Sequence, residues 1–407
     1  MPNATSYIAH RLYYASSSRR GAVKPAVKVA LIGLTIGIMV MIMTVCVVIG
    51  FKSTVASQIA GFGSHMEVVN YDNNNTYEML PIAVSDSLLT KLSSLPHVTA
   101  LSPFYTKPAV LKGNANYSGI VMKATTRWTY FEQNLVSGHL PEQRNDIIVS
   151  ATLANKLGMN LSDVVYAYFI GSSVQVRKLQ LVGIYATGVS EYDNLFVMTS
   201  PALIQGLNRW KENQASGIDI WIDDLSYLYE ASDEVYFATA NRLDADGNAL
   251  YTQNIQQLNP QIFAWLDLLD MNVVVIIFLM LAVSGFAIIT GLIILILNSI
   301  QLIGTLKALG ANNRFVKTIF IKQAARLITR GMVIGNALGL GLCALQYYTH
   351  LLPLDSTTYY VPFVPIAFPW GWIVALNMLF LIISLLILLL PATIISRISP
   401  SQVMKYE

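Results

Sequence analysis

The sequence has few charged residues for its length. Of its 407 residues, 12% are Asp, Glu, Lys or Arg, whereas 54% are hydrophobic. Soluble globular domains carry about 25% charged residues, so this composition excludes an ordinary soluble protein. The apolar residues are also clustered into uncharged runs, several of them longer than the roughly 20 residues that a helix needs to cross a bilayer. We therefore predict a membrane protein.

Cysteine and histidine are scarce as well. The two cysteines, Cys46 and Cys343, both fall inside apolar runs, and the long segment between the first two runs has none. No disulfide framework is predicted from them. The five histidines occur singly, without the spacing of metal ligands. We expect no metal or other cofactor in this chain.

Catalytic motifs are missing too. The sequence has no G-x-x-x-x-G-K-[ST] phosphate-binding loop, and "GANNRFVK" imitates only its glycine and lysine. It has neither H-E-x-x-H nor a nucleophile elbow. The basic residues border apolar runs rather than forming a nucleic-acid patch. We expect a chain that is not an enzyme and binds no nucleic acid, with any ATP and magnesium held by a partner subunit.

Four segments have the length and apolar character of membrane spans. Basic residues, without acids, precede the first span and separate the second from the third, whereas the loop between the third and fourth has no Lys or Arg. Since cytoplasmic loops carry the excess of Lys and Arg, both termini are predicted to be cytoplasmic. The predicted boundaries are a basic cytoplasmic segment 1–28, span 29–51, an external domain 52–270, span 271–299, a cytoplasmic segment 300–317, span 318–348, an external loop 349–370, span 371–396 and a cytoplasmic tail 397–407.

The external region 52–270 mixes strand and helix patterns. "HMEVVNYD" alternates like a strand, and Ser85 stands where a helix N-cap is expected. "DIIVSATLANKLGMNLSDVVYAYF" predicts a strand, a helix ending at Gly158, a turn and a strand. "QNIQQLNPQIFAWLDLLDMN" keeps a helical pattern into the second span, which would couple the domain to the membrane helices. The fold expected is an α-helical membrane protein of four spans, with a mixed α/β domain between spans 1 and 2.

The stretch "SIQLIGTLKALGANNRFVKTIF", from Ser299 to Phe320, is the strongest candidate site. It is basic, lacks acids, and predicts a helix, a glycine break and a second helix. A membrane platform without an ATPase of its own needs a docking point for a separate one, and this cytoplasmic segment is suited to it. The predicted ATPase-coupling residues are Leu302, Leu306, Lys307, Leu309, Gly310, Ala311, Arg314 and Lys317.

Glycines recur at four-residue spacing in two of the predicted spans. This spacing lets helix backbones approach closely in a membrane. The sequence does not distinguish packing within the chain from an interface with a second subunit. The predicted helix-packing residues are Gly33, Gly37, Gly331, Gly335 and Gly339.

The segment from "IQLIGTLKALGANNRFVKTIF" to "GNALGLGLC", together with the ending "RISPSQVMKYE", resembles the FtsX/MacB-type permease superfamily of ABC transporters. "LLTKLSSLPHVTALSPF" and "DIIVSATLANKLGMNLSDVV" are similar to the MacB-type periplasmic pattern, except that Ser162 stands where glycine is usual. Within the superfamily, "YIAHRLYYA" and "IGFKSTVASQIAGFGSHMEV" look like the lipoprotein-releasing LolC/LolE branch. The resemblance covers nearly the whole chain.

The resemblance implies an inner-membrane permease subunit that pairs with a second permease, identical or not, and with a cytoplasmic ATPase dimer. In that branch a triacylated lipoprotein enters sideways between the first and second spans of the two subunits and passes to a periplasmic carrier. Membrane lipids are the other expected partner. The residues that would line the substrate cavity are Met39, Met43, Ile277 and Met280. Alternatives are an FtsX-like signalling permease that controls a cell-wall hydrolase, a MacB-like efflux permease and a structural scaffold.

Overall fold

The structure is a computed structural model that describes residues 23–73, 78–170, 174–240, 242–297 and 299–392. The first 22 residues, most of the predicted cytoplasmic N-terminal segment, lie outside this range. The same holds for the predicted C-terminal tail and for the last four residues of the predicted fourth span.

The described chain begins and ends with long helices and carries its strands in between. The helices are α1 (Val23–Phe62), α2 (Asp86–Ser93), α3 (Thr129–Gln133), α4 (Ala151–Leu157), α5 (Ser190–Leu195), α6 (Pro201–Asn208), α7 (Leu228–Thr239), α8 (Ile255–Leu258), α9 (Pro260–Leu297), α10 (Ile300–Ala308), α11 (Asn313–Thr349), α12 (Ser356–Tyr359) and α13 (Trp370–Ala392). The strands are β1 (Met66–Asn70), β2 (Ile82–Ala83), β3 (Val98–Lys112), β4 (Tyr117–Thr125), β5 (Leu135–Gly138), β6 (Asp146–Ser150), β7 (Val164–Ile170), β8 (Val174–Tyr185), β9 (Phe196–Thr199), β10 (Gln214–Ala215), β11 (Gly217–Ile222) and β12 (Leu250–Asn254).

The chain divides into two compact units. The membrane unit comprises Met1–Lys52, Trp265–Leu352 and Val364–Glu407, and the α/β unit comprises Ser53–Ala264 and Pro353–Phe363. Among the described residues, four helices are long and apolar enough to cross a bilayer, and each overlaps one predicted span. These candidate membrane helices are Lys28–Phe62, Pro260–Leu297, Asn313–Thr349 and Trp370–Leu388.

The first two of these helices are longer than the predicted spans. Helix α1 has 40 residues and α9 has 38, whereas a bilayer core needs about 20. The predicted boundaries follow the uncharged runs, but a charged side chain ends only the apolar run and the helix continues past it. The predicted helical lead-in to the second span holds from Pro260 onward. Before it, α8 ends at Leu258, and its C-cap Asn259 is not helical, because proline disfavours helical backbone in the preceding residue.

The core of the membrane unit forms around α1. Large apolar side chains of this helix are fully buried, among them Leu34, Ile38 and Ile42. They pack with buried residues of α9, α10, α11 and α13. A polar pair joins α11 and α13, since the amides of Asn336 and Asn377 exchange two hydrogen bonds of 2.7 and 2.9 Å. Such interhelical hydrogen bonds each stabilise a bundle in lipid by about 0.6–2 kcal/mol.

The α/β unit is organised around a ten-stranded sheet. Its order is β12–β1–β11–β3–β4–β9–β6–β8–β5, and β7 pairs with both β3 and β8. The neighbours are antiparallel except for β4–β9 and β6–β8. Strands β3 and β4 form an antiparallel hairpin, with Lys112 opposite Tyr117. The predicted caps are confirmed: Ser85 accepts a hydrogen bond from the Leu88 backbone N–H, and Gly158 ends α4.

A charged network lies buried in the α/β unit. The Asp219 carboxylate accepts a hydrogen bond of 2.8 Å from the Ser64 hydroxyl and lies 3.4 Å from Nζ of Lys123. Glu67 on β1 is buried beside them. Burial, with the nearby Asp219 charge, raises the pKa of Glu67 to about 8. Burial therefore favours the neutral form of Glu67 beside the contact between Lys123 and Asp219.

Ser162 has an unusual backbone conformation. Its φ is 71°, in the left-handed region that glycine adopts without penalty. Its N–H donates a hydrogen bond of 2.8 Å to the Leu181 carbonyl, so the turn before β7 is held in place. Glycine, which is usual at this position in the pattern that the sequence resembles, would adopt this conformation without penalty.

Candidate coupling segment and helix interfaces

The predicted coupling segment consists of α10, a tight turn and the start of α11. Leu309 and Gly310 close α10, and the Ala311 N–H donates a hydrogen bond of 2.9 Å to the Leu306 carbonyl. Gly310 has a φ of 86°. Asn312 then caps α11, and its side chain accepts from the Arg314 N–H. The helix–glycine–helix pattern predicted from the sequence is confirmed.

The predicted leucines lie on the outer side of α10. Ile303 and Gly304 are the buried residues of this helix. Leu302 and Leu306 are half-buried, and Leu309 is 80% exposed at the turn. Within the described chain no other residue buries Leu309, so this leucine could make an apolar contact with a partner protein.

The predicted basic residues have different exposures. Arg314 is exposed at the start of α11, whereas Lys307 and Lys317 are half-buried. Ala311, between the two helices, is partly buried against the membrane-unit core. The turn is therefore anchored on one side and presents Leu309 and Arg314 on the other.

The glycines of the first span lie against α9. A Cβ atom at Gly33 would come 3.0 Å from the Ala287 Cβ, and one at Gly37 would clash with the Ser284 hydroxyl. One turn further along, a Cβ at Gly291 would meet the Ala30 Cβ at 2.6 Å. The two helices thus approach each other along a row of small residues.

The glycines of the third span lie against a different side of α1. A Cβ at Gly331 would come 2.9 Å from the Leu34 Cβ, and one at Gly335 would come 2.9 Å from the Thr35 carbonyl. Gly339 faces the Met39 backbone at 3.2 Å. Each of the five glycines therefore allows close backbone contact within this chain.

A charged and an aromatic contact join α1 and α9 at one end. Nζ of Lys52 lies 2.6 Å from the Asp270 carboxylate and 3.4 Å from Asp267. Phe51 and Trp265 meet edge to face, with ring centroids 5.6 Å apart. The carboxylates are largely exposed, so the ion pairs contribute at most about 1 kcal/mol and mainly orient the helices.

The candidate cavity residues lie on the same two helices. Met43, Ile277 and Met280 are partly buried and pack against the membrane-unit core. Met39 is half-buried. The described residues hold no group of three or more His, Cys, Asp or Glu side chains suited to a metal ion.

Sequence reasoning missed the small residues of the second span. Ser284, Ala287 and Gly291 are the partners of the first-span glycines, yet only the glycine repeats of the first and third spans were singled out. The signal was present in "SGFAIITG", where small residues recur at spacings of three and four. Their partner helix could not be read from the spacing, because several spans carry small residues.

The comparisons with known proteins agree with this architecture. Residues 29–240, more than half of the chain, match the family model of the MacB-like periplasmic core domain. Residues 274–400 match the FtsX-like permease C-terminal model.

The chain belongs to the FtsX/MacB-type permease superfamily of ABC transporters.

Full-length relatives of this permease are found among lipoprotein-releasing systems. It is 21% identical over 422 residues to the lipoprotein-releasing system transmembrane protein LolC of Xylella fastidiosa, with 97% of each chain covered. It is 22% identical over 431 residues to the corresponding LolE of Haemophilus influenzae, with 99% of each chain covered. The predicted likeness to the LolC/LolE branch is confirmed.

A solved structure also aligns with the permease. The periplasmic region of MacB from Actinobacillus actinomycetemcomitans covers 52% of this chain and 98% of its own, at 12% identity and a TM-score of 0.33. A score of that size does not establish a shared fold, so the family assignment rests on the sequence matches.

Proposed function

We propose that this permease extracts lipoproteins from the inner membrane and passes them to a periplasmic carrier, driven by a separate ATPase. The observation that carries the proposal is the similarity to LolC and LolE over 97–99% of the chain. A match over nearly the whole chain supports a shared activity more strongly than a match to one module alone would.

The topology proposed follows from the charge distribution. Both termini and the segment 300–317 are cytoplasmic, since Lys and Arg concentrate there. The α/β domain lies between spans 1 and 2 on the periplasmic side of the bacterial inner membrane. The match of residues 29–240 to a periplasmic core domain supports this side.

The ATPase is proposed to dock at the turn between α10 and α11. Three features support this site: the exposed Leu309, the exposed Arg314 and the left-handed Gly310 between two helices. Leu309 offers an apolar contact, and Arg314 can pair with a carboxylate of the partner. We expect ATP and magnesium to bind in that subunit, whose dimer would serve two permease chains.

The substrate is proposed to enter beside α1 and α9. The candidate cavity residues Met39, Met43, Ile277 and Met280 are all apolar, and the three methionines are also flexible, which suits acyl chains of varying position. Three of the four predicted spans, 29–51, 271–299 and 371–396, contain no Asp, Glu, Lys or Arg, unlike the spans of many proton- or ion-coupled transporters. The span 318–348 carries Lys322, Arg326 and Arg330, all in its first half.

A signalling permease of the FtsX kind is the second candidate function. The match of residues 274–400 to the FtsX-like C-terminal model supports it equally well. A MacB-like efflux permease is a third, supported by the periplasmic core match. A neighbouring carrier gene would favour lipoprotein release, and a neighbouring hydrolase gene would favour signalling.

Depletion of the permease followed by membrane fractionation tests the proposal. If it releases lipoproteins, those destined for the outer membrane accumulate in the inner membrane during depletion, and re-expression reverses this. A normal lipoprotein distribution with defective cell separation would instead support signalling and overturn the release function.

A further inference from the structure

A solvent-accessible cleft lies in the α/β unit. It has a volume of about 300 Å³ and is bordered by the end of α1, by Trp221 of β11 and by the segment that leads into α3. This volume is at the lower end of the range for ligand sites. Neither the coupling segment nor the candidate cavity contributes to it.

The cleft contains a preorganised arginine. The Arg127 guanidinium lies over the Trp221 ring, 4.5 Å from its centroid. Trp221 is fixed in turn, because its indole N–H donates a hydrogen bond of 3.0 Å to the Ala60 carbonyl. Within the described chain no carboxylate pairs with Arg127. Stacking occupies the face of the guanidinium and leaves its N–H edge available to a ligand.

His65 forms another part of the wall. Its Nδ1 accepts a hydrogen bond of 2.9 Å from the Ile222 backbone N–H. Burial, with the charge of Arg127, lowers the pKa of His65 to about 4. The imidazole is therefore neutral near pH 7, and because Nδ1 accepts, Nε2 carries the proton and can donate.

The charge of the cleft selects its ligand. Arg127 supplies one positive charge, His65 is neutral, and no Asp or Glu is among the described residues that border the cleft. One guanidinium with a free planar edge matches one carboxylate, which it can bind through two parallel hydrogen bonds. A phosphate dianion would leave a charge uncompensated.

The rim of the cleft suits a peptide. Thr129 and Gln133 are exposed at its edge. A hydroxyl and a primary amide both donate and accept hydrogen bonds, as the backbone of a passing chain requires. Ala60 and Gly61 of α1 leave the opposite wall without bulky side chains.

The geometry points to a carboxylate-binding site in this cleft, occupied by an acidic residue of an extended peptide segment. Arg127 binds the carboxylate, Trp221 holds the guanidinium, and His65 donates a further hydrogen bond. The inference does not depend on whether the permease releases lipoproteins or transmits a signal.

Peptide binding to the full-length permease tests this site. The probe is an end-blocked peptide Gly-Gly-Asp-Gly-Gly, compared with its Asp→Asn counterpart, and binding is followed by ligand-observed NMR in detergent. The Asp peptide is expected to bind at least about tenfold more tightly, because hydrogen bonds between charged groups are roughly twice as strong as those between neutral groups. Equal binding of the two peptides would overturn the proposal.

Matched arginine variants locate the binding. Arg127→Gln should remove the preference for Asp, and Arg127→Lys should retain only part of it, because lysine lacks the planar fork. Arg242→Gln, at an exposed arginine outside the cleft, should leave binding unchanged. Wild-type binding by Arg127→Gln would show that the peptide does not bind in this cleft. The melting temperature of Arg127→Gln should equal that of the wild type, which shows that the variant is folded.

Competition identifies the chemistry of the ligand. Acetate is expected to displace the Asp peptide at lower concentration than inorganic phosphate or glycerol 3-phosphate. The reverse order would contradict the carboxylate assignment and indicate a phosphate site, such as one for a lipid headgroup.

Discussion

At the scale of single residues, the left-handed backbone conformation of Ser162 lowers the stability of the folded protein. A non-glycine residue in this region is disfavoured by about 1–2 kcal/mol, and the hydrogen bond from its N–H to the Leu181 carbonyl keeps it there. Serine partly offsets this effect, because an unfolded chain with serine at this position has less conformational entropy than one with glycine.

Ser162→Gly should therefore stabilise the permease by about 0.5–1 kcal/mol, because glycine adopts this φ without strain. The thermal unfolding of the purified protein should shift upward by roughly 1–4 °C. Ser162→Ala is the control, and it should give no gain because it keeps the Cβ atom. A lower melting temperature for the glycine variant would contradict this interpretation of the turn.

Other residue-scale features could be predicted only in part. Ser85 and Gly158 were identifiable because caps depend on neighbours a few positions away. The stacking of Arg127 on Trp221 was not identifiable, because the two residues are far apart in the sequence and meet only when β11 joins the sheet. The burial of Glu67 was missed for the same reason.

At the scale of elements, the turn between α10 and α11 depends on one glycine. A Cβ atom at Gly310 would meet nothing within 4 Å. Substitutions there consequently act through the backbone φ of 86° rather than through a clash. Proline, whose φ is near −65°, cannot adopt this conformation, whereas asparagine tolerates it.

Gly310→Pro should abolish coupling, so that ATP hydrolysis by the copurified complex falls to the rate of the isolated ATPase. Gly310→Asn is the matched control and should retain most of the stimulation. Both variants should insert into the membrane at wild-type levels. Full stimulation by the proline variant would refute the placement of the coupling site.

Charge reversal at Arg314 and Lys317 should weaken the same interaction, because both lie at the start of α11. ATPase stimulation should fall severalfold, and more so at low salt, where charge interactions are least screened. Lys156→Glu, at an exposed lysine of the α/β unit, is the control. Equal activities in the double variant and the control would show that these charges serve topology alone.

The lengths of the membrane helices could be predicted only in part from the sequence. The uncharged runs locate all four spans, but they understate α1 and α9, since a helix continues through Lys52 and Asp267 once both are solvated and paired. The leucines of α10 and of the turn after it could be singled out from the sequence. Burial of Ile303 rather than those leucines depends on tertiary packing that no local pattern encodes.

At the scale of the whole molecule, the chain combines a membrane unit with an α/β unit and belongs to a permease superfamily. Composition and charge patterning predicted this organisation, because bilayer thickness and topology constrain long segments strongly. The substrate was not predictable from these constraints, since fold alone does not determine function. Its assignment to lipoproteins rests on the likeness to LolC and LolE.

ATP-driven release from reconstituted proteoliposomes tests that assignment most directly. The permease, its copurified ATPase and a triacylated lipoprotein are incorporated together, and the soluble carrier is added outside. With ATP, lipoprotein should appear in the carrier-bound soluble fraction, and it should stay in the vesicles with a non-hydrolysable analogue or with Gly310→Pro. ATP hydrolysis at the full rate with all lipoprotein still in the vesicles would contradict the proposed function.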